Sequence, residues 1–310
     1  MIAFVFPGQG SQYVGMGKEL YDEFASAKDT FDEASQVLGF DLAGLCFDGE
    51  QEELSLTKNA QPALLTTSIA ALRVLQEQTD IEPDFVAGHS LGEYTALVAN
   101  GSMSLSDAVH VVRKRGEFMQ DAVPVGVGAM AAVLGQDKEQ VEEICRQVSK
   151  NSNIASPANL NAPGQIVISG SREAVEEASE IAKSRGAKRV VPLDVSAPFH
   201  CALMEPAALR LSEVLSAVEF GEMSVPVVSN CSACVTNDPS LIRGLLIEQV
   251  TSPVRWHESV ETLFGLGVRE FIEIGPKNVL SGLIKRTLSD ITVNNFEKKA
   301  QLESLKNDGN

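Results

Sequence analysis

The sequence VAGHSLGE at residues 86–93 joins an apolar, strand-like run to a G-x-S-x-G motif, and a helical pattern continues from Tyr94 to Asn100. Glycines two positions before and after Ser90 permit the tight turn from strand to helix that leaves a serine hydroxyl exposed. The N-terminus of the following helix presents backbone N–H groups and the positive end of a dipole to a developing oxyanion. The pattern therefore predicts Ser90 as a nucleophile.

Strand-like and helical segments alternate on both sides of this motif. Apolar residues at 2–6 and 84–87 are typical of strands, whereas the segments near 17–38 and 61–78 have the periodicity of amphipathic helices. Pro62 is expected to begin its helix, because the first turn of a helix tolerates proline. The alternation predicts an α/β fold with a hydrolase-like parallel-sheet core covered by helices.

A second pattern begins near Val125 and has the order β-α-β-β-α-β. Its strands are expected at 129–134, 154–160, 165–170 and 188–191, and its helices at 138–149 and 172–185. This order is that of a ferredoxin-like unit. Because strand-like and helical segments resume beyond residue 225, the unit is interpreted as an insertion. We expect a large α/β hydrolase-like domain of residues 1–123 and 198–310, interrupted by a small ferredoxin-like subdomain of residues 124–197.

The size and charge of the chain exclude some classes of protein. The chain has 310 residues, of which 44% are hydrophobic, so it can bury a substantial core. Its formal net charge of −17 argues against nucleic acid as a partner, because contacts with phosphates need a basic face. The polar segment 294–310 is expected to fray.

Cysteines and apolar runs bear on the compartment. The five cysteines are an odd number and do not suggest a disulfide framework. The CxxC pair Cys231 and Cys234 lacks the strand-helix context of a redox motif and a second pair for zinc. The apolar residues 1–6 are too few for a signal peptide, and no run reaches the roughly 18 residues of a membrane span. We therefore expect a protein of the cytoplasm, or alternatively of an organelle matrix, with no metal and no membrane partner.

A serine nucleophile needs a base to take its proton. The sequence contains four histidines: His89, His110, His200 and His257. His89 should point away from the adjoining serine. His110 lies in a helical segment, and His257 fits a helix-start or packing role. His200 ends the proline-containing loop 196–200, just after the inserted subdomain, where a site between two domains would take a residue. We therefore predict His200 as the base.

The loop FPGQGSQ at residues 6–12 is a second Gly-rich turn at the carboxyl end of a strand. It does not fit a dinucleotide-binding fingerprint, because Tyr13 stands where the third glycine is needed, and no Gly-Lys-Ser/Thr follows for a P-loop. The backbone N–H of Gln9 is instead a candidate for half of an oxyanion hole, with the N–H of Leu91 as the other half. An ordinary strand-to-helix turn is the alternative.

Several motifs in this order resemble one family. FPGQG at 6–10, GHSLGE at 88–93, the inserted ferredoxin-like unit and TSPVRW at 251–256 are similar to the malonyl-CoA:acyl carrier protein transacylases, the acyltransferases of type II fatty acid synthesis. The resemblance extends from Ile2 to about Leu288. Several motifs in the same order are more specific than any one of them.

The resemblance also implies roles for individual residues. Ser90 would carry the acyl group, and His200 would act as base and then as acid, oriented by the backbone carbonyl of Gln249 in place of a carboxylate. Arg115 matches the family's arginine for the substrate carboxylate, and a planar guanidinium suits a bidentate contact. Without the resemblance, a solvated arginine in a basic helix is the alternative. Asn161 aligns with a position that lines the site.

For the reaction, the resemblance implies ping-pong transfer of malonyl from malonyl-CoA to the phosphopantetheine thiol of an acyl carrier protein, with no metal or redox cofactor. Phe199, a bulky residue before the base, favours malonyl over methylmalonyl. The carrier protein is acidic in this family, so the basic clusters Lys188–Arg189 and Lys285–Arg286 are candidate docking sites. We expect a monomer. A serine hydrolase or thioesterase, and a carrier-binding module without catalysis, are the alternatives.

Overall fold

The computed structural model describes residues 1–124, 126–151, 153–195 and 197–308, and these contain ten strands and fourteen α-helices. The strands are β1 (Ile2–Phe6), β2 (Phe85–Gly88), β3 (Gly128–Leu134), β4 (Ala155–Ala162), β5 (Gln165–Ser171), β6 (Arg189–Pro192), β7 (Val227–Val228), β8 (Val235–Thr236), β9 (Glu270–Ile274) and β10 (Thr292–Phe296). The helices are α1 (Lys18–Glu23), α2 (Ala25–Leu38), α3 (Leu42–Asp48), α4 (Gln51–Ser55), α5 (Thr57–Gln78), α6 (Leu91–Ala99), α7 (Leu105–Asp121), α8 (Lys138–Val148), α9 (Arg172–Ser184), α10 (Glu205–Ser216), α11 (Pro239–Thr251), α12 (Trp256–Gly265), α13 (Val279–Thr287) and α14 (Ala300–Asp308). Val125 and Ser196, which belong to the sequence patterns above, lie outside the described residues. Of the helices in the described ranges, none combines the length and apolar character needed to cross a membrane.

The larger sheet has six strands within the described ranges, in the spatial order β10-β9-β1-β2-β7-β8. Neighbouring strands from β10 to β7 are parallel, and β8 is antiparallel to β7. The central strands β1 and β2 are apolar and almost entirely buried, as strands covered on both faces are. The predicted parallel-sheet core is therefore confirmed.

The register of β1 and β2 sets the position of the two Gly-rich loops. Phe6 pairs with Gly88, so the two strands end at the same edge of the sheet. Ligands of open parallel sheets bind at the carboxyl ends of the strands. The loop 7–12 and the turn around Ser90 therefore lie side by side at the edge where a site is expected.

The smaller sheet has four strands among the described residues, in the order β4-β5-β3-β6, and every neighbouring pair is antiparallel. The helices α8 and α9 share a hydrophobic core with these strands, which includes Val133, Ile144, Ile166 and Val175. Asp137 caps α8 by accepting the N–H of Gln140, whose side chain accepts the N–H of Asp137 in return. Along the chain, this unit has the element order β3-α8-β4-β5-α9-β6.

The smaller sheet is tied to the rest of the chain through β4. Leu160 donates its N–H to the carbonyl of Val254 (2.9 Å), and Val254 donates its own N–H to the carbonyl of Ala158 (2.8 Å). The side chains of Met130 and Val167 also join the main hydrophobic core. These hydrogen bonds and shared core residues therefore hold the smaller sheet in place beside the larger unit.

Two helix boundaries differ from expectation. α5 begins at Thr57, so Pro62 lies inside the helix, and the prediction that it begins the helix is wrong. A proline leaves the carbonyl four residues earlier without its helical donor; here that carbonyl belongs to Lys58 and accepts a hydrogen bond from Nη1 of Arg113 (3.1 Å). The helix expected near 17–38 is divided, because Phe24 between α1 and α2 is extended (φ −127°, ψ 125°).

The end of the chain is ordered up to residue 308, so the expectation that 294–310 frays is wrong for the described part. β10 pairs with β9 along five residues, and the side chain of Phe296 is fully buried. Leu302 and Leu305 of α14 are buried in the main core. Residues 309 and 310 lie outside the described residues. The polar composition is that of an edge strand and a surface helix, which bury few side chains each.

Candidate active site

Ser90 lies at the turn between β2 and α6 in a strained backbone conformation (φ 52°, ψ −103°). A Cβ on Gly88 would lie 1.9 Å from the carbonyl oxygen of Gly92, and a Cβ on Gly92 would lie 2.1 Å from the carbonyl oxygen of Phe6. Any side chain at either glycine would therefore collide with backbone. The spacing of the motif is explained by these two close approaches, which hold the serine at the top of the turn.

His200 lies opposite the serine. Its Nε2 is 2.8 Å from Oγ of Ser90, and its Nδ1 is 2.9 Å from the carbonyl oxygen of Gln249. A carbonyl oxygen only accepts, so Nδ1 carries the hydrogen and Nε2 is free to accept the serine proton. The backbone of His200 is left-handed (φ 59°), which turns the ring toward Ser90 at the end of its loop.

The electrostatic surroundings keep His200 neutral. Its side chain is buried, and burial, followed by the nearby cation of Arg115, lowers the pKa of His200 to about 3. A neutral imidazole is the form that accepts a proton from serine. Of the other histidines, His110 is exposed on α7 and His257 pairs with Glu261 on α12, whereas His89 lines the same cleft as Ser90 with its ring against Asn161.

Arg115 projects from α7 into the site and is 2% exposed. Its Nη2 donates to Oγ of Ser90 (3.0 Å) and to Oε1 of Gln249 (2.9 Å), and its Nη1 donates to Oε1 of Gln61 (2.8 Å). The alternative of a solvated arginine in a basic helix is therefore wrong, although its neighbour Lys114 does pair with Glu117 on the surface.

The depth of Arg115 depends on how closely α7 packs on α5. A Cβ on Gly116 would lie 2.7 Å from both the Cα of Lys58 and the carbonyl oxygen of Thr57. The absence of a side chain at Gly116 thus lets the two helix backbones touch. This contact places the preceding residue, Arg115, directly beneath the nucleophile.

The two backbone groups predicted for an oxyanion hole are Gln9 and Leu91. The loop that carries Gln9 lies against the serine turn, since a Cβ on Gly8 would be 2.4 Å from the carbonyl oxygen of His89. Leu91 is the first residue of α6, where N–H groups lack helical acceptors. Over residues 1–124, 126–151, 153–195 and 197–308, the backbone hydrogen bonds leave both N–H groups unpaired. Both are available to an oxyanion.

A cleft of about 470 Å³ opens above Ser90, between the two sheets. Its lining includes Gln9, Ser55, Phe199 and His200 from the larger unit and Met130, Asn159 and Leu193 from the smaller one. Asn161 lies close by on β4, and its Oδ1 is 2.9 Å from Nε2 of His89. Asn161 thus contacts the side chain of His89, the residue before the nucleophile.

The sequence analysis missed two polar residues beneath the nucleophile. Asn230 accepts the backbone N–H of Ser90 (2.6 Å) and donates to the carbonyl of Gly88 (2.7 Å). Glu93, the last residue of the quoted motif, accepts from the backbone of Asn230 (3.1 Å) and from Nε2 of Gln249 (2.7 Å). Burial raises the pKa of Glu93 to about 7. Only the position of Glu93 within the motif gave a signal for this network.

Comparisons with known proteins identify the family of the chain. The family model described as acyl transferase domain matches residues 3–310. The malonyl CoA-acyl carrier protein transacylase of Bacillus subtilis is 57% identical over 299 residues, which cover 96% of this chain and 94% of the relative. The enzyme of the same name from Escherichia coli K12 is 48% identical over 291 residues, 94% of each chain.

Solved structures give the same result. An acyl carrier protein S-malonyltransferase from Vibrio cholerae superposes with a TM-score of 0.96 at 45% identity, covering 98% of this chain and 99% of that one. A type II PKS malonyl-transacylase, solved in complex with its acyl-carrier protein, superposes with a TM-score of 0.96 at 46% identity over 99% of both chains. The resemblance inferred from the motifs is confirmed, and the chain belongs to the acyl transferase family and, within it, to the malonyl-CoA–acyl carrier protein transacylases.

Proposed function

We propose that this protein transfers a malonyl group from malonyl-CoA to the phosphopantetheine thiol of an acyl carrier protein, through a malonyl ester on Ser90. The observation that carries the proposal is the contact between Arg115 Nη2 and Ser90 Oγ, 3.0 Å apart. The free carboxylate of a malonyl group lies one carbon beyond its thioester carbonyl. A guanidinium beside the nucleophile therefore selects an acyl group with a carboxylate at that position.

Acylation needs a nucleophile, a proton acceptor and an oxyanion site. Oγ of Ser90 attacks the thioester carbon while its proton passes to Nε2 of His200, and the N–H groups of Gln9 and Leu91 bind the oxyanion. The carbon–sulfur bond then breaks, and the coenzyme A thiolate leaves with the proton from His200. The carbonyl of Gln249 keeps the imidazole in the required tautomer through both proton transfers.

Transfer to the carrier protein reverses these steps. The phosphopantetheine thiol gives its proton to His200 and attacks the ester carbon, and the oxygen of Ser90 leaves with that proton. Ser90 and His200 supply the nucleophile and the proton carrier, so the proposed reaction uses no metal or redox cofactor. A cleft enclosed by two sheets also restricts the access of water to the ester.

Substrate binding also activates the base. The cation of Arg115 is the second-largest cause of the lowered pKa of His200, after burial. A malonyl carboxylate bound to Arg115 neutralises that cation, which raises the pKa of His200 when an acid-bearing substrate is present. The base is thus strongest when the preferred acyl group is bound.

We also propose that residues 124–197 are a ferredoxin-like subdomain inserted into a hydrolase-like domain of residues 1–123 and 198–310. Numbered along the unit, its strands lie in the order 2-3-1-4, with every neighbouring pair antiparallel, which supports this assignment. The subdomain contributes Met130, Asn159 and Leu193 to the cleft. Its role is to complete the substrate channel above the serine.

The candidate docking surface for the carrier protein is one basic edge formed by Lys188, Arg189, Lys285 and Arg286. Nη1 of Arg286 donates to Oε1 of Gln165 (2.7 Å), and Gln165 and Arg189 both pair with Leu134 of β3, so the two clusters meet at one end of the smaller sheet. All four basic side chains are exposed. Charge reversal at Lys188 and Arg286 should slow transfer to the carrier protein and leave acylation by malonyl-CoA unchanged; unchanged transfer would contradict this docking surface.

We propose that a monomer of this protein acts in the cytoplasm, where its free cysteines stay reduced.

The proposed function is tested by the intact mass of the protein after mixing with malonyl-CoA. We expect a malonyl-sized adduct that is absent from Ser90→Ala, weak with acetyl-CoA, and discharged by a carrier protein that holds phosphopantetheine. Absence of the adduct, or equal labelling by acetyl-CoA, would contradict the proposal. Rapid loss of the adduct to water without a carrier protein would indicate a hydrolase.

A further inference from the structure

Arg115 is a buried cation without a direct anionic partner. Its acceptors among the described residues are the neutral oxygens of Ser90, Gln249 and Gln61, and its Nε has no acceptor there. The ring of Tyr94 faces the guanidinium, with 5.4 Å between the guanidinium carbon and the ring centroid. Neutral oxygens and a ring face compensate a buried charge only partly. The resting site therefore needs a negative charge close to Arg115.

Glu93 is the carboxylate that supplies this charge. The side-chain amide of Gln249 lies between the two groups: its Oε1 accepts from Nη2 of Arg115 (2.9 Å), and its Nε2 donates to Oε2 of Glu93 (2.7 Å). An amide placed this way is polarised by both charges in the same direction. Burial lowers the pKa of Arg115, and the charge of Glu93 opposes this lowering.

We propose that Glu93 is the counter-charge of Arg115 in the unacylated enzyme, and that it takes up a proton from water when the carboxylate of the acyl group binds Arg115. This inference rests on the proposed function. One cation beneath the nucleophile cannot stabilise two carboxylates equally in a buried site. The incoming acyl carboxylate contacts Arg115 directly, whereas Glu93 acts through an amide, so the substrate carboxylate keeps its charge and Glu93 loses its own.

The surroundings of Glu93 allow this exchange near neutral pH. Burial has the largest effect on the pKa of Glu93 and raises it, whereas hydrogen bonds from Gln249 on α11 and from Asn230 and Ser229 after β7 lower it. The cation of Arg115 on α7 also lowers this pKa, by less than each of these hydrogen bonds. Tyr94 and Cys231 also face this carboxylate, and both are neutral at this pH, since burial raises their pKa values. Burial dominates and holds the pKa of Glu93 at about 7. A small change in nearby charge therefore changes its protonation state.

The sign of the pH dependence follows from this exchange. Below about pH 7, Glu93 is protonated with or without substrate, and binding of the acyl carboxylate is independent of pH. Above about pH 7, Glu93 is charged in the free enzyme and must take up a proton as the acyl group binds. Apparent affinity for malonyl-CoA therefore falls as pH rises, by up to about tenfold per pH unit.

The test is the pH profile of KM for malonyl-CoA between about pH 6 and about pH 9, for the wild type, Glu93→Gln and Glu273→Gln. Glutamine at 93 keeps an acceptor for Gln249 and cannot ionise, so its KM should lack the rise above about pH 7, while the wild type shows it. Glu273 is the matched control: it is a buried carboxylate with a pKa raised by burial, held by Ser281 and not facing Arg115. Glu273→Gln should behave as the wild type. Acetyl-CoA carries the same nucleotide phosphates as malonyl-CoA. The pH profile of its KM therefore serves as the correction for the ionisation of those phosphates.

A second measurement needs no variant. Mixing the wild type with stoichiometric malonyl-CoA at about pH 8 in weak buffer should take up close to one proton per site, and acetyl-CoA should cause no comparable uptake. A malonyl adduct on Ser90 without proton uptake would overturn the inference, as would a rise in KM that Glu93→Gln retains or Glu273→Gln loses. Absence of the adduct itself would overturn the proposed function instead.

Discussion

Replacing Arg115 by alanine should convert an enzyme selective for malonyl into one that no longer distinguishes malonyl from acetyl. A bidentate contact between guanidinium and carboxylate comprises two hydrogen bonds to a charged group, each contributing about 1.5 to 3 kcal/mol. Their loss removes about 3 to 6 kcal/mol of binding in the transition state, which corresponds to roughly 10²- to 10⁴-fold in kcat/KM. Acetyl-CoA has no carboxylate and cannot lose this contribution.

The assay compares the rates at which malonyl-CoA and acetyl-CoA acylate Ser90 in Arg115→Ala. Arg115 also donates to Ser90, Gln249 and Gln61, so some loss common to both substrates is expected, and the ratio of the two rates isolates the carboxylate contact. Lys114→Ala is the matched control, because Lys114 is the preceding cation of α7 and pairs with Glu117 on the surface. An equal loss for both acyl groups would refute carboxylate selection and leave Arg115 a structural role.

Three further predictions follow from the site. Because the pKa of His200 is held at about 3, against 6.5 for an ordinary histidine, neutral His200 stabilises the fold above about pH 6.5, and this contribution is lost as pH falls. The unfolding free energy of the wild type, measured with urea, should fall between about pH 6.5 and about pH 5, and in His200→Gln this fall should be smaller by about 2 kcal/mol. An equal fall in both proteins would contradict the lowered pKa of His200. Asn230→Ala should lower the unfolding free energy by about 2 to 4 kcal/mol, because it leaves the N–H of Ser90 and the carbonyl of Gly88 without partners; a change below about 0.5 kcal/mol would show that water replaces the amide. Phe199→Ala should raise acylation by methylmalonyl-CoA relative to malonyl-CoA, since Phe199 lines the cleft, and an unchanged mass-spectrometric ratio would exclude Phe199 as a size filter.

The parts of the fold and site that could be predicted are those with local causes. The tight turn at Ser90 needs glycine at positions 88 and 92, because a Cβ at either would collide with backbone. The position of Ser90 could therefore be predicted from a motif of five residues. The parallel core followed from apolar periodicity, and it is confirmed. His200 was predicted because its loop follows the small subdomain expected from the sequence, and in the structure its Nε2 lies 2.8 Å from Oγ of Ser90. The role of each residue stays a prediction until the acyl-enzyme is examined.

The features that could not be predicted depend on contacts far apart in the chain. Pro62 lies inside α5 because Arg113, 51 residues later, supplies the donor that the Lys58 carbonyl lost. The end of the chain is ordered because β9 offers a free edge to a segment whose own composition is polar. Asn230 holds the serine turn from 140 residues away. Local secondary-structure propensity does not indicate such contacts, because the residues that form them come together only when the sheet has assembled.

The contact between α5 and α7 at Gly116 has a consequence for how the specificity of such an enzyme can change. The distance between these two helices sets how far the guanidinium of Arg115 reaches toward the acyl chain. A methyl group at Gly116 would separate the helix backbones and withdraw the cation from the serine, without altering any atom that meets the substrate. The preference for one acyl group is thus encoded partly in the spacing of two helices behind the site, and a change of substrate can begin there.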